Sequence, residues 1–308
     1  MADIHITSIA DLLAFANGSS GTGTSEDFLN VYLDKDLDFA LDNGGAYANT
    51  DFAGCTGITG YCNFYGQNHT IKNISYIGAA NWGFFPSLGS GSTVRDLYLS
   101  DLNVTTTAEK TGGIVASWGL NSYIINCHVQ GVINGGQYVG GIVGVGASVD
   151  SSNRYIQYCT FSGNISGSYI GGIMGRNQGA GWRYSSTYIQ CCGVRATLNS
   201  TNKVSGVGCW QESPGSYSGI YYSKCYFIGS LYGNAIYGIA DRLDSASELY
   251  AVVESTTQDG TVNMVNTNVI YDNDVATTAG YTVTGGTPET SAHLKDATYM
   301  RTTYNWSA

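Results

Sequence analysis

Cleaving a glycosidic bond takes two carboxyl groups, one to donate a proton and one to act as base or nucleophile. Acidic residues are therefore the first to place. Between Lys110 and Ala240 the sequence holds Asp150 and Glu212 and no other carboxylate. Both are expected in loops about two repeats apart, too far to act as a pair. Asp34, Asp36 and Asp38 alternate in VYLDKDLDF, outside that region. Asp272 and Asp274, in YDND, have the oxygen ligands of a calcium site but fit a solvated turn better. His5, His69, His128 and His293 are scattered. No Ser-His-Asp spacing, phosphate-binding glycine loop or C-x2-C pair with a histidine partner is present. The expectation is no catalytic residue, no metal and no cofactor.

What recurs instead is aromatic. Tyr123, Tyr155, Tyr188 and Tyr221 each stand one position before an apolar residue, Ile124, Ile156, Ile189 or Tyr222, at intervals of 32, 33 and 33. Tyr138 and Tyr169 form a second short column. Trp118, Trp182 and Trp210 each follow a glycine-rich stretch and are expected on a nearby loop edge. A tyrosine ring offers an apolar face to the C–H groups of a sugar and a hydroxyl to its oxygens. The same column also reads as a ladder that steadies a sheet, each pair contributing roughly 0.2–1 kcal/mol. Both readings stay open.

These columns need a scaffold that repeats. From Tyr123 to Leu231 one pattern returns four times: YIINCHVQGVINGGQYVGGIVG, YIQYCTFSGNISGSYIGGIMG, YIQCCGVRATLNSTNKVSGVG and YYSKCYFIGSLYGNAIYGIAD. Apolar and polar residues alternate within each copy, as in a strand with one buried face. A unit this short cannot cover its own apolar face, so the copies must stack. The leucine-rich frame is absent and no helix separates the strands, which leaves an all-β, single-stranded parallel β-helix with coils of about 30 residues and the usual right-handed crossover. The 42 glycines among 308 residues and the 12% of charged residues suit tight corners and a largely sheet structure. Val94 and Leu97 are expected one coil earlier in the columns of Ile124 and Cys127, with Ile71 and Ile74 one coil before that.

The chain is expected to form one β-helix domain over 1–308: a cap and first strands over 1–60, coils over 61–275 and a C-terminal cap over 276–308. In the first part, SIADLLAFAN predicts a helix capped by Ser8 with Asp11 three residues on. Ile9, Leu12, Leu13 and Ala16 share one face to plug the open end. Ala276 to Thr287 reads as a loop, and Leu294 to Trp306 as a lid on the far end. Segments 146–153, 179–186 and 199–203 vary between copies and are expected to be specificity loops.

The eight cysteines divide. Cys127, Cys159, Cys192 and Cys225 form a column that stands where leucine or isoleucine would, and is expected to be buried and reduced. Cys55 with Cys62, and Cys191 with Cys209, have the placement to pair.

Residues Phe64, Gly66, Gln67, Asn68, His69, Thr70, Ile71, Asn73 and Ile74, together with DLLAFAN, VYLDKDLDF and the units Gly140-Gly141-Ile142-Val143-Gly144 and Gly171-Gly172-Ile173-Met174-Gly175, resemble the GLUG-type β-helix domains of bacterial surface proteins and phage tail proteins. Weaker copies stand at Gly112-Gly113-Ile114-Val115 and Gly206-Val207-Gly208. The resemblance implies the scaffold and, within it, structural roles for Asp34, Asp36 and Asp38 and a hydrogen-bonded turn role for His69; it does not fix function. The lack of paired carboxylates on the coils leads to the expectation of a non-enzymatic adhesion module such as a phage tail or virion receptor-binding protein. Its partner would be a cell-surface glycan or protein. A polysaccharide depolymerase of the tailspike type and a purely structural component are the alternatives. Other virion proteins or a homotrimer are further partners that such proteins have. The net charge of −10 argues against nucleic acid, and no apolar run is long enough to insert in a membrane. The expected location is extracellular, on a virion or a bacterial surface. The start MADIHITSIADLL lacks the features of a secretory signal, which leaves removal of a signal, or release by lysis, as the routes outward.

Overall fold

A computed structural model describes residues 3–18, 23–48, 50–58, 60–146, 153–178, 185–211, 218–241, 245–256, 261–264, 269–272, 276 and 282–295. The chain winds into a β-solenoid of about seven turns, each of about 31 residues. Its strand pairings are parallel, each coil resting on the one before. The first apolar column of the sequence is a continuous interior row: Ile4, Val31, Phe64, Val94, Ile124, Ile156, Ile189 and Tyr222 follow one another in register. Phe64, not Ile71, is the residue before Val94. Ile71 belongs to the next interior row, with Leu99, Val129, Phe161, Val194 and Phe227, and Ile74 lies opposite Leu102, beside the paired Ser75 and Asn103. The expected alignment slips there because the coil that begins at Cys62 spends extra residues at its corner, around Gln67 and Asn68, both at positive φ.

That corner recurs as Asn68, Asp96, Asn126, Tyr158, Cys191 and Lys224, all left-handed with φ between 51° and 64°. Asn and Asp tolerate this conformation best. In the earlier coils their side chains also bond to one another, Asn126 Nδ2 donating to Asp96 Oδ1 at 2.8 Å and to Asn68 Oδ1 at 3.3 Å. Just past the corner sit the four column cysteines, all buried and free. Each thiol donates to a carbonyl of the preceding coil, as Cys159 does to Ile124 O at 3.5 Å and Cys192 to Ile156 O at 3.5 Å. Burial pushes the Cys159 and Cys225 thiols well above the usual range. Cys55 and Cys62 are buried and free as well, not bridged, with Cys62 pushed up to about 12. Cys191 is half-buried, and the side chain of Cys209 lies outside the described residues.

A separate five-stranded face closes each coil: Phe85–Leu88, Val115–Trp118, Val143–Gly146, Met174–Asn177 and Gly208–Gln211. The chain reaches this face through the paired glycines of the G-G-I motif. The second glycine of each pair lies over the interior row of Val129 and Phe161. A Cβ on Gly141 would come within 2.6 Å of Phe161 Cβ, and one on Gly172 within 2.6 Å of Val194 Cγ1.

At the N-terminal end, helix Ile9–Ala16 is capped as expected, Asp11 N–H donating to Ser8 Oγ at 3.1 Å. Asp11 in turn accepts from Thr7 N–H and Thr7 Oγ1. Its buried residues are Ile9, Leu12, Phe15 and Ala16; Leu13 is only half-buried, and Phe15 takes its place in the core. Asp34, Asp36 and Asp38 are structural. Each ties the second coil to a neighbour, Asp34 to His5 (2.8 Å) and Gln67 (2.8 Å), Asp36 to Thr70 N–H (2.8 Å) and His69 (3.2 Å), Asp38 to Asn73 Nδ2 (2.7 Å). These bonds hold all three carboxyls below their ordinary range, the leading cause being the bond from His5 for Asp34, from Thr70 N–H for Asp36 and from Asn73 for Asp38. Since the folded pKa values lie below the unfolded ones, the row stabilises fully above the unfolded value of about 3.9 and its contribution disappears as pH falls through the folded values. Thermal melts taken from about pH 6 to about pH 3 should therefore show a steeper loss of Tm in the wild type than in a D34N/D36N/D38N variant, which starts lower. Parallel curves would mean the row carries no linked stability.

Two loops of the sequence reading are strands. Residues 199–203 lie inside Gly193–Ser205, paired along Thr160–Gly171. Within 276–287, Thr282–Gly285 and the start of Thr287–Glu289 add a further coil. Residues 147–152 and 179–184 fall outside the described residues, as does the proposed lid beyond Lys295; the segment Ser291–Lys295 is a short helix.

Candidate functional site

The tyrosine column exists and faces outward. Tyr123, Tyr155, Tyr188 and Tyr221 pair in register, with Thr93 before them and Ser245 after. Their rings stack at centroid distances of 5.1, 5.0 and 5.0 Å and interplanar angles of 4°, 10° and 16°. Coil spacing dictates this, because in-register parallel strands sit about 4.8 Å apart. Rings stacked so closely spend their faces on one another and leave edges and hydroxyls outward. Tyr123, the first rung, is 39% exposed and the other three are half-buried. The ladder is thus a rail of hydroxyls rather than an open row of sugar platforms. A related stack on the same face escaped the sequence reading: His5, Tyr32 and Tyr65, at 5.3 and 5.0 Å. Their spacing of one coil was the available signal, hidden because the first coils lack the tyrosine-isoleucine-cysteine frame.

The remaining aromatic candidates are mostly inside. Tyr138 and Tyr169 pair in register with rings 5.4 Å apart, but Tyr138 is 7% exposed, with the Arg176 guanidinium 4.4 Å from its ring centre. Trp118 is not on a loop edge. It ends the strand Val115–Trp118 and is fully buried. Trp182 lies outside the described residues; Trp210 lies in the strand Gly208–Gln211, its side chain outside them.

Around the corner from the ladder, the next outer face carries a trough of about 320 Å³ lined by Thr70, Lys72, Tyr98, Ser100, His128, Gln130, Thr160 and Ser162 over Leu99 and Val129. Four successive coils supply its walls, with Thr70 beside Tyr98, Tyr98 beside His128 and His128 beside Thr160. Tyr98 has His128 on one side, 4.7 Å away and tilted by 44°, and the smaller Thr70 on the other. Its polar atoms are set by their neighbours. At a bulge opposite Gln130, Asp101 N–H donates to Gln130 Oε1 at 3.0 Å, which fixes Oε1 as the acceptor end of the amide and Nε2 as its donor end. Tyr98 O–H donates to Asn68 Oδ1 at 3.4 Å. Ser100 Oγ is buried without a partner in the structure.

His128 is the centre of a directional relay. Its Nδ1 lies 2.6 Å from Thr160 Oγ1 and its Nε2 3.0 Å from Asn126 Oδ1. The Asn126 Nδ2 bond to Asp96 described above fixes Asn126 Oδ1 as an acceptor. Asp96 is itself held by Arg95 Nε at 2.7 Å. The imidazole must then donate from Nε2 and accept the Thr160 hydroxyl at Nδ1. Burial holds His128 below the usual imidazole range, hence neutral at pH 7. Nothing in the sequence spacing of Asp96, Asn126, His128 and Thr160 announces this chain, because two of its three bonds cross coils.

No protein-family model matches the chain. Its likeness to the GLUG-type domains therefore rests on the motif residues themselves. Over 143 residues, 46% of the chain, the sequence is 28% identical to halomucin of Haloquadratum walsbyi, and the match spans 2% of that protein's length. A solved structure from Bacteroides ovatus, provisionally described as an immunoglobulin A1 protease, superposes with a TM-score of 0.67 at 20% identity, covering 97% of this chain and 87% of that one. That likeness shows the β-solenoid fold alone. Among the described residues no group of three or more His, Cys, Asp or Glu could hold a metal ion, and no helix is long and apolar enough to cross a membrane.

Proposed function

We propose that the chain is a non-enzymatic recognition module of an extracellular surface protein, and that the trough binds a neutral glycan of a neighbouring cell or matrix. One observation carries this reading: the trough combines an aromatic side chain with polar groups of fixed and mixed polarity. Gln130 and Lys72 offer donors, and Thr160 and Tyr98 offer oxygen lone pairs. A sugar ring, whose hydroxyls donate and accept and whose C–H face packs on tyrosine, meets all of these. Of the two locations expected, phage tail and cell surface, the resemblance to halomucin favours the surface. The tyrosine rail on the adjacent face would flank a longer chain.

A second reading, acyl transfer, is favoured by the relay. Thr160 Oγ would attack a carbonyl carbon while His128 Nδ1 takes its proton, pass that proton to the leaving oxygen or nitrogen, and release the acyl group to water. It ranks second because the backbone N–H of Thr160 is spent on Cys127 O at 3.1 Å and is not available to stabilise an oxyanion.

A glycan array followed by calorimetry on the best ligand tests both, run beside a nitrophenyl-ester assay. Binding should fall at least about tenfold, or roughly 1.4 kcal/mol, in folded Y98A and Q130A variants and persist in Y155L/Y188L. The reverse pattern moves the site to the rail, and silence on the array rejects the glycan. Ester turnover abolished by T160V would replace recognition with catalysis.

A further inference from the structure

Arg154 opens the strand Arg154–Gln157, immediately before Tyr155 of the rail, and its side chain turns inward. It is fully buried, and its Nε, Nη1 and Nη2 all lack a hydrogen-bond partner in the structure. It lies over Trp118, whose ring centre is 6.0 Å from the guanidinium carbon. The indole Nε1 of Trp118 is likewise buried and without a partner. The guanidinium sits where Gly146, between Trp118 and Asn177 in the facing sheet, has no side chain; a Cβ there would collide with Nη1. The acceptor close by, Asn177 Oδ1, already takes the Thr187 hydroxyl at 3.1 Å.

Among the described residues the corner therefore gathers more hydrogen-bond donors than acceptors, and Arg154 has no ion-pair partner. Arginine carries five N–H groups and accepts nothing, and the indole adds a sixth. A buried cation without a counter-charge is strongly destabilising. Burial lowers the Arg154 pKa to about 10, which still leaves it charged at neutral pH. Water could accept some of these bonds but would not neutralise the charge. We propose that the corner formed by Arg154, Trp118 and Gly146 is a buried site for a small monovalent inorganic anion, chloride in ordinary buffers, which accepts from the guanidinium and from the indole Nε1. The bound ion locks the end of the five-stranded face to the start of the tyrosine face.

Bromide is the direct probe. Crystals of the full chain grown in sodium bromide should show an anomalous peak within hydrogen-bonding distance of both the Arg154 guanidinium and Trp118 Nε1. In solution at constant ionic strength, replacing gluconate by chloride should raise Tm by about 3–6 °C and then saturate, as expected for a ligand bound by the folded state alone. Arg154→Met should lose this dependence while melting no lower than the wild type in gluconate, because an apolar side chain of similar length needs no counter-ion. A bromide map empty at this corner, or a wild-type Tm indifferent to the anion, would overturn the site.

Discussion

A Gly172→Val variant should fail to accumulate as folded protein, or unfold with a loss of about 3 kcal/mol or more. Gly172 crosses the interior directly above Val194 and against Gly206 O, and even a methyl group there would press to within 2.6 Å of Val194 Cγ1. Neither neighbour can give way, since Gly206 belongs to the next coil's crossing and Val194 to the continuous interior row. The damage should also spread, because each coil is the floor of the next. Denaturant unfolding followed by circular dichroism measures it. Near-wild-type stability would mean that the flat crossing is not what the G-G-I motif provides.

Phe15→Ala should cost about 3–5 kcal/mol locally. Phe15 is fully buried at the open end of the solenoid, 6.0 Å from Phe64 and 6.4 Å from Phe85 between ring centres. Removing the ring opens the first coils to water while the distant ones keep their neighbours. Hydrogen exchange should therefore accelerate in the strands Ile4–Ile6, Leu29–Leu33 and Cys62–Tyr65, with little change around Gly193–Ser205. Uniform acceleration would show that the solenoid opens as one unit and that the helix is more than a local plug.

The trough and the rail differ in what they ask of a ligand. Stacked rings resist disassembly and present hydroxyls at a fixed repeat, which suits a rigid ridge. The trough, with its bulge at Gln130 and its oriented His128, presents single groups at single places. Recognition is more easily built from the second kind of surface, since orientation there is set before the ligand arrives.

Sequence alone determined the coil, its period and the inward rows of Ile124 and Cys127, because alternation along a strand and recurrence between coils are both one-dimensional properties. It also determined that Ser8 caps a helix, since that interaction belongs to a short local pattern; the partners of the Asp34 row lie one coil away and came only with the structure. Only the tertiary structure decided that Ile71 sits beneath Leu99, that Trp118 is buried, that the rail's ring faces are spent on one another, and that Asp96, Asn126, His128 and Thr160 form a chain. The physical reason is common to all four. In a stack of parallel coils a residue's neighbours lie one full turn away, so an extra residue at a corner, or a bulge such as the one opposite Gln130, changes which side chains meet without altering the periodic pattern that announces the fold.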